Sequence, residues 1–420
     1  MIKASQDQKS AAKLMMSGKD VFLTGGAGTG KSFVLNTFMK KSGKRLLKTA
    51  TTGAAATIIR GATLHSTMGL SSNIHKPDSI TQVKDKAMSL LRTSQGITID
   101  EVSMLRIDTF QALLETIDLA SKKLWKRPQL ILTGDFAQLP PVLTDREREV
   151  FEHYYGDKLF AFEHPRWSDF SVASLTTFHR QGGDLTFAKW LSDIRGGKVP
   201  DMDFINQRVT NKRTEGAVNL VATNDKAARI NNDARDELDD SNEFLFEGTV
   251  MGPFQQQDMR VPPRMTLPSG SRVIICANDR SGDRAYVNGT TGTLISGNDE
   301  GEALVETDEG RRVTVPPATW ERTEYEPVME NGKVTDYQEN TIASYTQTPI
   351  LPGWAITIHR SQGMSLPHVH IDPRGMFIAG QAYVALSRAT NLSGLTLASE
   401  MTEEAIMHDD RVTRYHHKVL

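Results

Sequence analysis

Short apolar runs that end in turn residues recur through the first 175 residues of the chain. They are "DVFLTGG", "KRLLKTATTG", "QGITIDE", "PQLILTGD" and "SVASLTTFHRQ". Each run has the length of a strand, and segments with helical periodicity follow, as at 31–41 and 109–122. Strands that alternate with helices predict a parallel sheet covered on both faces. A ligand of such a sheet binds beyond the carboxyl ends of the strands, where "GGAGTGKS", "DE" and "GD" fall.

A second α/β unit is predicted from about residue 175. The run "AVNLVATNDKAARIN" indicates a strand, a turn and a helix, and "WAITIHRSQG" and "GQAYVALSRA" continue the unit without a second phosphate loop. Between these pieces the helical periodicity gives way to short alternating runs separated by Gly, Asp and Asn. We therefore expect a first domain over 1–174 with a small polar insertion at 69–94. The second domain takes 175–260 and 349–420, and a β-rich subdomain is inserted at 261–348.

Composition narrows the class of protein. The chain has 420 residues, of which 38% are hydrophobic, and this is enough for two or three compact domains. A formal net charge of -2 excludes a uniformly basic nucleic-acid-coating protein, so contacts with phosphates must come from a local groove. The single cysteine, Cys276, lies in an apolar run and is expected in the core. No apolar stretch has the length of a signal peptide or a membrane span, so we expect a cytoplasmic protein and no membrane partner.

The motif "GGAGTGKS" follows a predicted strand and opens a predicted helix, and it satisfies G-x-x-x-x-G-K-[ST]. Glycines let the backbone N–H groups and the helix dipole surround the phosphates of ATP. Lys31 would reach the outer phosphates, and the Ser32 hydroxyl would ligate Mg²⁺. The residues expected to bind the nucleotide are Gly25, Gly26, Ala27, Gly28, Thr29, Gly30, Lys31 and Ser32.

Two adjacent carboxylates, Asp100 and Glu101, end the apolar run of "GITIDEVSM". This position suits a division of labour in which Asp100 holds Mg²⁺ and Glu101 polarises the attacking water. An ordinary acidic turn is the alternative. Behind a phosphate loop, the pair predicts that ATP is hydrolysed, and no motif indicates the hydroxyl acceptor site of a kinase.

Hydrolysis also needs positive charge on the departing γ-phosphate. Arg180 in "TTFHRQ" and Arg388 in "VALSRAT" have suitable positions, although an arginine at a strand end often forms a surface salt bridge instead. If both converge on one nucleotide, ATP would lie in a cleft between the two units that opens and closes during hydrolysis.

Taken together, the motifs resemble those of superfamily 1 helicases and occur in the same order. In addition to those quoted above, they include "TATTGAAAT" with "GATLHS", "GDFAQLPPV", "WLSDIRGG", "VNGTTGTLI" and "WAITIHRSQGMSL". The sequences of these motifs resemble those of the 5′ to 3′ branch, which contains the PIF helicases and their RecD-like and phage Dda-like relatives. The resemblance extends from about residue 5 to residue 397. The segment after "DEVSM" matches the PIF signature only loosely. The chain resembles a bare motor core of the bacterial or phage type.

The resemblance implies two RecA-like domains, a small wedge insertion in the first and an SH3-like β insertion in the second. On this sequence it implies that Gln8 reads the adenine, although a surface glutamine is the alternative. Gln138 would sense the γ-phosphate beside Asp135, and Gly363 would lie next to the same phosphate. The two arginines would be arginine fingers.

The resemblance also implies contacts with DNA through hydroxyls, amides and backbone N–H groups, which touch phosphates without reading bases. The two histidines among these residues could instead be structural. The residues are Thr52, Thr63, His65, Thr223, Asn224, Thr357, His359 and Ser361.

The function expected from this resemblance is an ATP- and Mg²⁺-dependent DNA helicase that moves 5′ to 3′ on single-stranded DNA and unwinds duplexes. Such motors serve DNA replication, repair, recombination and telomere maintenance. The expected partners are single-stranded DNA and junctions with duplex, with G-quadruplexes and RNA–DNA hybrids as further candidates, and the motor is expected to act as a monomer. The alternative is a DNA-stimulated ATPase switch that loads or remodels partners without processive unwinding.

Overall fold

The computed structural model describes residues 4–59, 61–71, 73–179, 184–211, 216–238, 242–254, 259–279, 285–330 and 333–419. The chain divides into two compact units. Unit 1 comprises Met1–His179, Glu321–Ile342 and Arg414–Leu420, and unit 2 comprises Arg180–Trp320 and Ala343–Thr413. None of the described helices is long and apolar enough to cross a membrane.

Unit 1 is built on a six-stranded parallel sheet in the order β3-β2-β4-β5-β1-β6. The central strands β1 and β5 are buried along their whole length, as their continuous apolar runs predict. The strands are β1 (Val21–Gly25), β2 (Leu46–Ala50), β3 (Ala62–Thr63), β4 (Gly96–Asp100), β5 (Gln129–Gly134) and β6 (Ser171–Leu175).

Helices cover this sheet. They are α1 (Gln6–Met16), α2 (Lys31–Lys41), α3 (Gly53–Ile58), α4 (Leu64–Met68), α5 (Asp85–Thr93), α6 (Ile107–Leu124) and α7 (Asp145–Tyr155). On one side Met15, Leu35 and Phe38 pack against strand residues of the core, such as Leu23. These contacts pack α1 and α2 against the strands of the sheet.

The segment over 69–94, expected as an insertion, is anchored to α6 through two of its backbone N–H groups. Ser72 of this segment lies outside the described residues. The Glu115 carboxylate accepts from the amides of Asp78 and Ile80 at 2.7 and 3.1 Å. Helix α5 within the segment buries Leu90 and Leu91 to 1% exposure. The segment therefore combines an exposed turn near Asp78 with a buried helix.

Unit 2 contains a four-stranded parallel sheet in the order β18-β7-β19-β20. A five-stranded antiparallel sheet follows the order β14-β13-β12-β11-β17, and β10 pairs with β8. A further sheet has the order β15-β16-β9, and residues 321–342 of its first two strands are grouped with unit 1. The strands are β7 (Val218–Val221), β8 (Glu243–Glu247), β9 (Thr249–Met251), β10 (Arg264–Pro268), β11 (Arg272–Ile275), β12 (Thr291–Gly297), β13 (Ala303–Thr307), β14 (Arg312–Val315), β15 (Ala318–Glu330), β16 (Lys333–Gln347), β17 (Ile350–Pro352), β18 (Ala355–Thr357), β19 (Val369–Ile371) and β20 (Leu395–Leu397).

The remaining helices are α8 (Leu185–Arg195), α9 (Asp203–Asn206), α10 (Asn224–Asp236), α11 (Gln381–Leu386) and α12 (Asp410–Val419). Most of the antiparallel strands lie within 261–348, but β8, β9 and β17 lie outside this interval and pair with strands inside it. Cys276, at the end of β11, is buried, and this burial raises the pKa of its thiol to about 11. The predicted α/β class with parallel sheets is confirmed.

Candidate nucleotide site and DNA-binding residues

The phosphate loop joins the end of β1 to the first turn of α2. Gly28 and Gly30 have φ angles of 81° and 87°, in the left-handed region that favours glycine. The ammonium of Lys31, the first residue of α2, donates to the carbonyl oxygens of Gly25 and Gly26 at 2.7 and 3.3 Å. The loop thus presents backbone N–H groups and one cation at a helix N-terminus, which is the arrangement that binds phosphates.

Two glycines of the loop are also required by close contacts. A Cβ on Gly25 would lie 2.6 Å from the Thr29 hydroxyl and 2.7 Å from the carbonyl oxygen of Leu175. A Cβ on Gly30 would lie 2.6 Å from the side-chain nitrogen of Gln8. A side chain at Gly25 would therefore clash with the backbone, and one at Gly30 would displace Gln8 and strain a left-handed backbone.

Gln8 is only 3% exposed and ties α1 to the phosphate loop. Its Nε2 donates to the carbonyl oxygen of Thr29 at 3.1 Å and lies 3.0 Å from Nε2 of His179. Its Oε1 accepts from the backbone N–H of Ser5 at 3.1 Å, within the capping box of α1. The glutamine expected to read adenine thus orders the loop as well.

Asp7 fixes the same helix to the chain that follows β6. Its Oδ2 accepts from the backbone amides of Thr176 and Thr177 at 2.8 and 2.9 Å. Burial opposes ionisation, but hydrogen bonds from Ser5 and these amides outweigh it and hold the pKa of Asp7 well below its usual value. Asp7 is therefore a permanent anion that anchors the start of the chain beside the loop.

Asp100 and Glu101 lie at the carboxyl end of β4. Burial raises the pKa of Asp100, and the Glu101 amide at 3.0 Å together with the charge of Lys31 offsets part of that rise. The electrostatic effect of Lys31 on Asp100 indicates that the phosphate loop and the first acid belong to one site. Glu101 has a φ of 55°, which is uncommon for a residue with a side chain and occurs often at functional sites.

Gln138 and Asp135 follow β5, the strand between β4 and β1. Asp135 is fully buried and Gln138 is 8% exposed. The backbone N–H of Gln138 donates to the carbonyl oxygen of Asp135 at 2.9 Å, which closes a tight turn. Asp135 and Gln138 therefore lie at the same end of the parallel strands as the phosphate loop, Asp100 and Glu101.

The residues of this edge fit ATP and a divalent cation. Neighbouring strands lie about 4.8 Å apart, so the ends of β1 and β4, with β5 between them, are separated by about 10 Å. The left-handed glycines and Lys31 would hold the phosphates, and Ser32 with Asp100 would hold Mg²⁺, whose charge stabilises the departing phosphate. A phosphate loop, an acid pair and a polar turn on adjacent parallel strands define a P-loop nucleoside triphosphatase.

Arg388, expected as an arginine finger, is 2% exposed within unit 2. Its Nε donates to the carbonyl oxygen of Val384 at 2.9 Å, and its Nη1 lies 3.3 and 3.4 Å from those of Ser361 and Met364. Gly363, in the turn between these last two residues, is exposed and has a φ of 77°. The arginine therefore braces the turn that carries Gly363. Arg180, the other expected finger, lies outside the described residues.

Four of the expected DNA-binding residues use their hydroxyls to cap turns. In each case the threonine oxygen accepts from the backbone N–H three residues later, at 3.2 to 3.4 Å. These residues are Thr52, Thr63, Thr223 and Thr357. A capped helix start directs its remaining N–H groups outward, so capping is compatible with a phosphate contact.

The other expected DNA-binding residues differ in exposure. Ser361 is fully buried and donates to the carbonyl oxygen of Ile358 at 2.7 Å. Asn224 and His359 are exposed in unit 2. His65 is half-buried, and burial, with smaller effects of His75 and Arg106, lowers the pKa of its imidazole, so it is neutral at pH 7.

His179 is a residue that the sequence reasoning missed. Its backbone N–H donates to the carbonyl oxygen of Gly28 at 3.0 Å, and its ring meets Gln8. It immediately precedes Arg180 in "TTFHRQ". Its place in a motif already expected to serve the nucleotide site was the signal that could have identified it.

Comparison with known proteins agrees with the class defined by the site. A family model described as "PIF1-like helicase" matches residues 3–204. The chain is 32% identical to "ATP-dependent DNA helicase Pif1" of Bdellovibrio bacteriovorus, over 99% of this chain and 92% of the relative. It is similar to the crystal structure of Bacteroides sp Pif1 in complex with ADP-AlF4, with a TM-score of 0.87, 27% identity and coverage of 100% and 97%. It is also similar to Bacteroides Pif1 bound to ssDNA, with a TM-score of 0.68, 27% identity and coverage of 100% and 97%.

The chain belongs to the PIF1-like helicase family and is an ATP-dependent DNA helicase. The expected resemblance to the PIF branch and the expected two RecA-like domains are thereby confirmed. The roles of individual residues in the site stay predictions.

Proposed function

We propose that this helicase moves 5′ to 3′ along single-stranded DNA and couples each step to Mg²⁺-dependent hydrolysis of ATP. The residues proposed to carry hydrolysis are Lys31, Asp100, Glu101 and Gln138. The direction is the one implied by the resemblance to the 5′ to 3′ branch. Single-stranded DNA as the track is supported by the Bacteroides Pif1 structure bound to ssDNA.

The observation that carries the coupling is the position of Thr51. Its backbone N–H donates to the carbonyl oxygen of Asp100 at 3.2 Å, and its hydroxyl donates to that of Glu101 at 2.8 Å. The next residue, Thr52, caps the turn that opens α3 and is a proposed contact with DNA. A movement of the acids during hydrolysis would therefore reach the proposed DNA contact through one residue.

Strand displacement tests this proposal. Two duplexes that differ only in carrying a 5′ or a 3′ single-stranded tail are incubated with ATP and Mg²⁺, and with ATP and EDTA as the control. We expect unwinding of the 5′-tailed duplex alone, and none with EDTA. Unwinding of the 3′-tailed duplex alone would overturn the direction. DNA-stimulated hydrolysis without unwinding of either duplex would favour the ATPase switch.

We further propose that the exposed turn of the segment over 69–94 acts as the wedge that separates strands. Removing the whole segment would be a poor test, because α5 buries Leu90 and Leu91. Changing Lys76, Pro77 and Asp78 together to glycine leaves α5 in place. We expect fewer base pairs unwound per ATP with unchanged DNA-stimulated hydrolysis, and an unchanged ratio would remove the wedge role.

The expected setting completes the proposal: a monomeric motor in the cytoplasm that acts at junctions between single-stranded and duplex DNA. Light scattering on the protein alone and with a tailed duplex measures its oligomeric state. Replacing the duplex by a tailed G-quadruplex or by an RNA–DNA hybrid in the same assay tests those substrates.

A further inference from the structure

The helicase activity leaves the exposure of Trp125 unexplained. It is 94% exposed and has a φ of 53° at the C-terminus of α6. The tryptophans Trp167, Trp190 and Trp320 are 5–6% exposed, as large aromatic residues in cores are. An indole held out in solvent by a left-handed backbone presents both ring faces to a ligand.

Basic residues lie near Trp125 at the amino ends of β2 and β5 in the unit 1 sheet. Lys126 donates to the carbonyl oxygen of Arg92 at 3.4 Å, which joins the loop before β5 to the end of α5. Arg45 exchanges hydrogen bonds with Gln95, so the start of β2 lies at the same edge. We name as the basic edge the exposed residues Arg45, Arg92, Lys122, Lys123, Trp125 and Lys126.

The carboxylate of Asp20, near this edge, is already paired with a cation. Asp20 forms an ion pair with Arg127 at 2.7 Å and accepts from the backbone N–H of Leu130 at 2.7 Å. The whole protein carries a formal charge of -2, so this concentration of cations is local and creates a positive surface potential.

The basic edge is separate from Thr52, a proposed DNA-binding residue of unit 1. Arg45 precedes β2 and Thr52 follows it, so the five residues of the strand separate them by about 16 Å, at opposite ends of the strand. The proposed track consists of threonines, serine, asparagine and histidines and contains no lysine or arginine. Lysines and arginines outside this set would add to the attraction for phosphates.

We propose that the basic edge is an accessory binding surface for single-stranded DNA, in which lysines contact phosphates and an unpaired base stacks on Trp125. Cations beside an exposed aromatic ring are the combination that binds single strands without reading sequence. Stacking on a protein ring needs a base released from its partner strand, and this favours single-stranded over duplex DNA. The inference rests on the proposed binding of single-stranded DNA by this helicase.

Titration with oligothymidine tests the proposal. One oligonucleotide has about 8 nucleotides, within the site size of a single binding fold, and the other is several times longer. We expect the long one to quench fluorescence excited at 295 nm in the wild type and to quench it much less in Trp125→Phe. We expect the triple variant Lys122→Ala, Lys123→Ala, Lys126→Ala to show a weaker salt dependence. The slope of log K against log salt for the long strand should fall in magnitude by about 2, at about 0.7 per phosphate contact.

Controls distinguish failure of the accessory surface from failure of the proposed binding of single-stranded DNA by the helicase. The short oligonucleotide should bind all variants equally and stimulate their ATP hydrolysis equally. Removing three exposed lysines elsewhere, Lys158, Lys189 and Lys418, should leave the slope unchanged. If the wild type binds no oligothymidine, the proposed track itself fails. If it binds but the basic-edge variants match it in quenching and slope, the accessory surface is overturned. Quenching by polyglutamate and not by oligothymidine would overturn it in favour of an acidic protein segment.

Discussion

The side-chain nitrogen of Gln8 lies 3.0 Å from Nε2 of His179, across 171 positions of the sequence. The same nitrogen donates to the carbonyl oxygen of Thr29 in the phosphate loop. Because an amide nitrogen can only donate, His179 accepts through Nε2 and carries its proton on Nδ1. This contact connects the residue before Arg180 with the loop that holds the phosphates.

We expect His179→Ala to weaken ATP binding by releasing Gln8. Loss of one hydrogen bond of about 0.5–1.5 kcal/mol corresponds to a rise of about 2- to 10-fold in KM for ATP. Steady-state hydrolysis with saturating DNA measures KM and kcat separately. His179→Gln should restore KM, since its side-chain oxygen can accept from Gln8. Equal KM values in the wild type and in His179→Ala would show that the contact plays no part in nucleotide binding.

Lys31→Ala should abolish DNA-stimulated hydrolysis, because the outer phosphates lose their cation while the loop backbone remains. Hydrolysis should fall by at least about 100-fold. Fluorescence anisotropy of a labelled single strand without nucleotide should give the wild-type affinity. Lys40→Ala, which removes an exposed lysine of the same helix, is the matched control. Loss of DNA binding in Lys31→Ala alone would show that this lysine itself contributes to DNA binding.

Local patterns predicted the phosphate loop, the acid pair and the parallel sheets because each depends on neighbouring residues. The contact of Gln8 with His179 depends on tertiary packing, and no periodicity indicates it. The motif that contains Arg388 was legible, but its structural setting was not. Arg388 was expected at a strand end, whereas it follows helix α11, and its burial against the turn over 361–364 depends on tertiary packing. Trp125 shows the same limit, because a tryptophan is by default expected in the core, whereas this one ends its helix in a left-handed conformation at the surface.

Asp100→Asn should abolish hydrolysis and stabilise the fold at neutral pH. Burial raises the pKa of Asp100 in the folded state, so the folded protein binds this proton more tightly than the unfolded chain. The ionised group therefore destabilises the fold above its folded pKa, and this cost disappears as pH falls through it. Thermal unfolding at several pH values should show a higher Tm for Asp100→Asn at pH 7 and a smaller difference in acid. Asp299→Asn, at an exposed turn, should show neither effect. A lower Tm for Asp100→Asn at pH 7 would contradict the expected cost of the charge.

Thr223 offers a test that separates capping from DNA binding. Its hydroxyl accepts from the backbone N–H of Lys226 at 3.4 Å and caps α10. Thr223→Ala should lose about 1 kcal/mol of stability, whereas Thr223→Asp should keep the cap. The added carboxylate of Thr223→Asp should repel a phosphate and weaken binding of single-stranded DNA. The prediction fails if Thr223→Asp keeps both the wild-type Tm and the wild-type affinity for DNA.

Arg388 has two candidate roles that activity measurements alone cannot separate. Its buried guanidinium donates to the carbonyl oxygens of Val384, Ser361 and Met364 and to the Ser387 hydroxyl. Arg388→Met would leave these acceptors without their donor, at about 1–3 kcal/mol for each group that stays buried. Lost activity in that variant would follow from unfolding or from a missing finger alike.

Arg388→Lys is therefore the informative variant. A lysine keeps the positive charge but has one ammonium where the arginine has a planar fork, so it cannot reach all the same carbonyls at once. We expect its Tm to fall by at least about 2 °C, because a loss of about 1 kcal/mol shifts Tm by about 2–4 °C in a domain of 150–250 residues. Its kcat, measured well below that Tm, should fall less than 10-fold if bracing the turn is the main role. A loss of 100-fold or more with an unchanged Tm would assign Arg388 to the departing phosphate instead.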